Sequence, residues 1–156
     1  MAVRAATADD VAAMVTLVEA SRERLQEWQP VFWRRAPGAA EMSRMFFGFL
    51  VGAAEHLTLV HENDGAVDGF LIASETKAPP VVAPGGPTWT IDDFCVASDA
   101  QWETAGRELL DAAREDLKQR GAVQVVVVCP AALQAKQYLL EDAGLAMASQ
   151  WWTAPL

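Results

Sequence analysis

The sequence predicts an α+β fold with a mixed, mostly antiparallel sheet, and three observations carry that reading. Segments of helical and of strand periodicity alternate in the order β, α, α, β, β, β, α, β, α, β. Asn63-Asp64-Gly65 stands between two apolar runs, the signature of a hairpin. A near-continuous valine run, Val123 to Val128, follows a helix, as in a parallel pair joined by a crossover. At 156 residues the chain has room for one domain, expected over residues 1–156.

Val3 to Ala6 opens as a short strand, and Thr7 with Asp10 forms a capping-box-like helix start. Val11, Met14, Val15, Val18 and Leu25 then recur on one face of a helix that ends near Gln29-Pro30. An aromatic stretch, Trp28 to Arg35, leads to a second helix over Ala39 to Ala54, with Met42, Met45, Phe46, Phe49 and Ala53 at helical spacing. Leu57 to His61 and Val67 to Ala73 are the hairpin strands. Lys77 to Pro87 is a proline-rich loop, and Trp89 to Ala97 is a strand. A helix from Thr104 to Arg120, carrying Leu109, Leu110, Ala113 and Leu117, stops at Gly121. The valine strand is expected to be covered on both faces. A last helix, Ala131 to Ala143, stops at Gly144, and Leu145 to Trp152 completes the sheet as a final strand.

Composition limits the function. A net charge of −9 repels nucleic acid and anionic membrane surfaces, so neither is an expected partner, and a cationic or neutral amine is favoured over an acidic ligand. No apolar stretch approaches the length of a membrane span and no signal-peptide start is present, which points to the cytoplasm. The two cysteines, Cys95 and Cys129, form no CxxC pair and have no histidine nearby, so no metal site is expected. His56 and His61, five apart, are assigned surface or loop roles.

The segment richest in chemistry is the turn from strand into helix, Val96 to Arg107. A loop feeding a helix N-terminus presents unpaired amides at the positive end of the helix dipole and binds phosphate without lysines. Small residues are needed where backbone approaches ligand, and Thr104, Ala105 and Gly106 meet this in part. Read alone, the segment is either such a turn or a plain strand-to-helix connection. Asp92 and Asp93 are adjacent carboxylates in an otherwise apolar strand, and alternation sends them to opposite faces, with Asp92 on that of Phe94 and Val96.

Val96, Gln101 and Gly106 stand at the offsets of Val, then Q/R-x-x-G-x-G/A, with Thr104 in place of the first glycine. In this and in its order of elements, nearly the whole chain resembles the GNAT superfamily of acyl-CoA-dependent N-acyltransferases. The resemblance implies a splayed parallel pair of central strands, flanking helices and acetyl-CoA as co-substrate. The pyrophosphate would lie on the backbone of Gln101, Trp102, Glu103, Thr104, Ala105, Gly106 and Arg107, and the pantetheine arm beside Phe94, Cys95 and Val96. Asp92, and less so Asp93, would serve as general base for transfer to a small-molecule or protein amine. Trp28, Phe32 and Trp33 would wall the acceptor site, with Glu27 as counter-ion. The family's acid position, four residues before the closing glycine, is Leu140; Tyr138 lies a rotation of roughly 200° away and cannot stand in. The resemblance thus implies direct acetyl transfer, with a non-catalytic CoA-binding or small-ligand module as the alternative and a homodimer as a possible assembly.

Overall fold

Asp64 and Gly65 take positive φ, 50° and 79°, at the tip of the predicted hairpin, the left-handed pair that a tight two-residue turn needs. The computed structural model, which describes residues 2–156, builds the sheet outward from that turn. Its strands are β1 (Ala2–Ala5), β2 (His56–Asn63), β3 (Ala66–Thr76), β4 (Thr88–Val96) and β5 (Gln124–Val127), arranged side by side in chain order. The first four pair antiparallel, and β5 joins β4 in parallel after the crossover.

Two layers of helix cover the sheet. On one face α1 (Val11–Trp28) and α2 (Ala39–Leu50) pack Met14, Val15, Val18, Phe47 and Leu50 against Val60, Phe70, Ile72 and Cys95. On the other, α3 (Ala105–Gln119) and α4 (Gln134–Asp142) bring Leu109, Leu110, Ala113, Leu117, Leu139 and Leu140 onto Leu57, Leu71, Ile91 and Phe94. Ahead of α1, the Thr7 amide donates to the Asp10 carboxylate at 2.7 Å, closing the predicted capping turn. Arg4 grips Asp10 from β1 at 2.8 Å and 2.9 Å and holds its carboxyl down at about 2.

Three expectations are corrected. In α2, Met42, Met45, Phe46 and Phe49 face solvent, and Ser43, Phe47 and Leu50 face the core. Two stripes of this helix satisfy helical spacing, and Arg22 Nη1 donating to Ser43 Oγ at 2.5 Å lets the stripe containing a serine be the buried one. No strand forms over Leu145 to Trp152; this stretch is irregular, with Trp151 and Trp152 exposed. β5 is therefore the edge of the sheet, covered on one face only: Val125 and Val127 pack on the α3 side while Val123, Val126 and Val128 are exposed. Among the described residues, no helix is long and apolar enough to cross a membrane.

Candidate active site

β4 changes character half-way along. Thr88 to Ile91 pair with β5 in register with Gln124 to Val127, and the Val128 amide reaches back to the Ile91 carbonyl at 2.9 Å. Beyond this point β4 and β5 no longer pair. On its other edge β4 stays on β3, but the register jumps so that Leu71 faces Phe94 while Ala73 faces Ile91. This bulge absorbs Asp92 and Asp93 and breaks the alternation from which the sequence placed them. Asp92 is exposed and Asp93 half-buried. Burial pushes the Asp93 carboxyl up, and the neighbouring Asp92 adds to this; Arg22 and Lys136 pull the other way. Phe94 and Cys95 are buried and Val96 half-buried, and burial pushes the Cys95 thiol up to about 11, so it is no ready nucleophile. The Cys129 thiol is likewise pushed up by burial.

After β4 a short 3-10 helix, Asp99–Glu103, delivers the chain to α3. The first i→i−4 bond of α3 runs from the Glu108 amide to the Thr104 carbonyl, so the amides of Ala105, Gly106 and Arg107 precede the helical ladder. Thr104 and Glu103 are exposed, whereas Trp102 is buried edge-on against Phe94 with centroids 4.9 Å apart. Gly106 is small for a packing reason: a Cβ there would stand 2.8 Å from Trp102 Cε3 and 3.2 Å from Leu139 Cδ2. Gln101 turns its side chain inward, donating to Asp68 Oδ2 at 2.6 Å and accepting from Ser98 Oγ at 3.0 Å. Arg107 pairs with Asp142 of α4.

The same Asp68 holds His61 Nδ1 at 2.5 Å, and His61 Nε2 lies 3.3 Å from Glu108 on α3. Both histidines are on β2, and His61 is only 1% exposed, which corrects the surface or loop assignment; His56, half-buried, meets Ser74 Oγ at 2.7 Å. The hydrogen-bonded chain Gln101, Asp68, His61 thus braces the turn before α3 on the sheet, while His61 Nε2, buried, makes no hydrogen bond to Glu108. Among the described residues, no three His, Cys, Asp or Glu side chains converge as a metal site.

The three aromatic candidates do not form one wall. Trp28 lines a cleft of about 370 Å³ with Arg24, Leu25, Glu27, Ala132 and Leu133, between the end of α1 and the approach to α4. Phe32 and Trp33, packed edge to face at 4.9 Å, border a smaller hollow of about 160 Å³ rich in arginine. Arg24 also grips Asp99 through both nitrogens, at 3.0 Å and 3.1 Å, joining α1 to the turn before α3.

Sequence reasoning passed over Lys136 altogether. It lies on the buried side of α4, 2% exposed, and its Nζ donates to the Phe94 carbonyl at 3.3 Å, in the stretch of β4 that β5 has left. The signal available was one cation among Leu133, Leu139, Leu140 and Ala143 at helical spacing.

A family model described as the acetyltransferase (GNAT) family matches residues 21–144, from α1 to the glycine that closes α4. The chain belongs to the GNAT family. No curated protein matches it in sequence. Solved structures give the same fold at low identity. A tetramutant of the BH1408 protein from Bacillus halodurans superposes at a TM-score of 0.83 with 17% identity, covering 100% of both chains. A ribosomal-protein-alanine N-acetyltransferase from Brucella melitensis biovar Abortus gives 0.65 and 18%, over 100% of this chain and 99% of that one. A predicted acetyltransferase with acetyl-CoA from Clostridium acetobutylicum gives 0.71 and 12%, over 99% and 95%. GNAT membership implies an acyltransferase.

Proposed function

We propose that this GNAT protein transfers an acetyl group from acetyl-CoA to an amine, small or protein-borne, by direct attack in a ternary complex. One observation carries the reading: β4 and β5 stop pairing after Ile91, and β4 then leads through a short 3-10 helix into α3, whose first amides are free of the helical ladder. Backbone donors at Ala105, Gly106 and Arg107 suit a pyrophosphate in a chain of net charge −9, since they need no lysine. The edge of β4 from Phe94 to Val96, which β5 does not pair with, suits the amide-bearing arm. Asp93 is the base in this reading, preferred over Asp92 because it is the half-buried one of the pair and burial raises its affinity for a proton, which it would take from the amine directly or through water. Glu27 beside Trp28 in the cleft offers a cationic amine both a carboxylate and an aromatic face. The exposed apolar side of α2 is where a homodimer would form, and neither nucleic acid nor membrane is called for.

A second reading, a CoA-binding module without catalysis, is favoured by Thr104 in place of the first glycine and by Leu140, buried and apolar, at the acid position. Calorimetry with acetyl-CoA, followed by free-thiol release against a panel of amines, separates the two. Binding with amine-dependent thiol release is expected; binding without release for any amine would leave the second reading, and no binding would remove both.

A further inference from the structure

The link from α1 to α2 gathers positive charge in a chain whose net charge is −9. Val18 of α1 packs in the cluster that holds Cys95 of β4, and Arg22 and Gln26 follow it one and two turns later on the same stripe. Arg22 borders the hollow of about 160 Å³ together with Phe32, Trp33, Arg34, Arg35 and Ala39. The hollow is held in shape from behind: Gln26 Oε1 accepts from the Arg35 amide at 2.8 Å, and the Trp33 amide donates to the Gln29 carbonyl at 3.0 Å. Arg22 Nη1 donates to one oxygen of Glu19 at 3.0 Å and Arg35 pairs with the other, which orients both guanidinium groups. One carboxylate against three arginines leaves positive charge in surplus, and Arg34, exposed, makes no ion pair among the described residues. α2 also begins here. Its first i→i−4 bond runs from the Met42 amide to the Gly38 carbonyl, so the amides of Ala40 and Glu41 precede the ladder at the positive end of the helix.

We propose that this hollow holds the carboxylate of the acceptor, which makes the acceptor a zwitterionic amine of the amino-acid type with an apolar or aromatic side group against Phe32 and Trp33. This rests on the reading of the chain as an acetyl-CoA-dependent transferase and narrows its acceptor. A guanidinium presents a planar fork of N–H donors that matches a carboxylate, and Glu19 is already held by two of these arginines. A zwitterion also suits the molecule as a whole. The field of −9 repels a net anion, whereas a ligand without net charge approaches freely and can still set its negative end on local arginines. The charge of Arg22 acts on Asp93 too, so an ammonium next to the bound carboxylate has the candidate base at hand. That ammonium gives one proton to Asp93, directly or through water. As the C–N bond forms and the C–S bond breaks, a second proton passes from nitrogen to sulfur, and CoA leaves as the free thiol. The carboxylate stays outside this exchange; its binding energy goes into orienting the nitrogen.

The test is thiol release from acetyl-CoA with the full-length protein and matched acceptors: apolar and aromatic amino acids such as phenylalanine, each beside its carboxamide and its decarboxylated amine. The carboxamide is the less basic amine, so a slower reaction there is not caused by protonation. The expected result is a kcat/KM for the amino acid at least about tenfold above both of its counterparts. Arg34→Gln should shrink that ratio by at least about fivefold, and Arg34→Lys should restore only part of it, since the charge returns without the fork. Because Arg34 is exposed and makes no ion pair, both variants should unfold at the wild-type Tm, which separates lost recognition from lost folding. Equal kcat/KM across the matched sets, or a preference for the amino acid that survives Arg34→Gln, would overturn the proposal alone. Absence of thiol release with every amine would overturn it together with the transferase function on which it rests.

Discussion

The two halves of β4 are built from one continuous strand and do opposite work. Thr88 to Ile91 is gripped on both edges, by β3 and by β5, and Ile91 is fully buried. Asp92 to Val96 keeps β3 alone, carries the bulge, and concentrates Asp93, Cys95 and the Lys136 contact within a few residues. The first half is paired on both edges, as a central strand should be. The second breaks several rules at once, with buried ionisable groups and an unpaired edge, and such violations mark the places where a protein accepts lower stability for chemistry.

If that division is sound, substitutions in the halves should fail in different currencies. The largest effect expected is on rate: Asp93→Asn should lower acetyl transfer by roughly 10²–10⁴ at little-changed acetyl-CoA affinity, as for loss of a general base. A larger loss in Asp92→Asn would move the base to the exposed carboxylate. Next comes stability, where Ile91→Ala should cost about 2–5 kcal/mol in denaturant unfolding, because no solvent can fill the hole. An Ile91→Ala protein as stable as wild type would show that the closed half is not the frame.

The third test reads the stability contribution of the open half. Asp93 titrates higher folded than unfolded, so its protonated form is favoured in the native state. Its contribution is fully present below the unfolded value of 3.8 and is lost as pH rises through the folded pKa. Asp93→Asn, which cannot ionise, should therefore gain in Tm relative to wild type as pH climbs above that range; a constant difference from acid to neutral pH would show that burial does not favour the protonated carboxyl. The smallest effect belongs to Tyr138, which is 67% exposed on α4 and outside both halves. Tyr138→Phe should leave turnover within about a few-fold of wild type, whereas loss of a true acid costs roughly 10²-fold or more.

How far the sequence could be read follows from what kind of signal each region sends. The hairpin, the crossover helix and its glycine stop depend on local chemistry, and the structure places each within a few residues of expectation. The wrong face of α2 arose because Met42, Met45, Phe46 and Phe49 look like a core stripe until Arg22 is known to reach Ser43 from another helix. The strand expected over Leu145 to Trp152 has the residues for pairing, but pairing is a property of neighbours and is absent there. In the site, the sequence placed Val96 to Arg107 as the connection from a strand into a helix, while a phosphate-binding role for it came only with the family resemblance. The bulge was not, since nothing in Asp92-Asp93 announces that the strand will slip by one residue there. Lys136 and the His61–Asp68–Gln101 brace escaped for the same reason: each joins elements distant in sequence.

The order of strands in the sheet is the order of strands in the chain, and that has a consequence for how the protein can change. Every strand beds beside its predecessor, and the excursion that separates the neighbours β1 and β2 is the α1–α2 segment, which covers one face of the sheet. Lengthening it leaves every other pairing untouched, and closing a loop of doubled length costs only about 0.6 kcal/mol more. Descendants of this sequence are thus free to rebuild the stretch that carries Trp28, Phe32 and Trp33 while the half of the molecule holding β4 and α3 stays fixed. Insertion there carries a folding penalty smaller than that of one lost core methyl group.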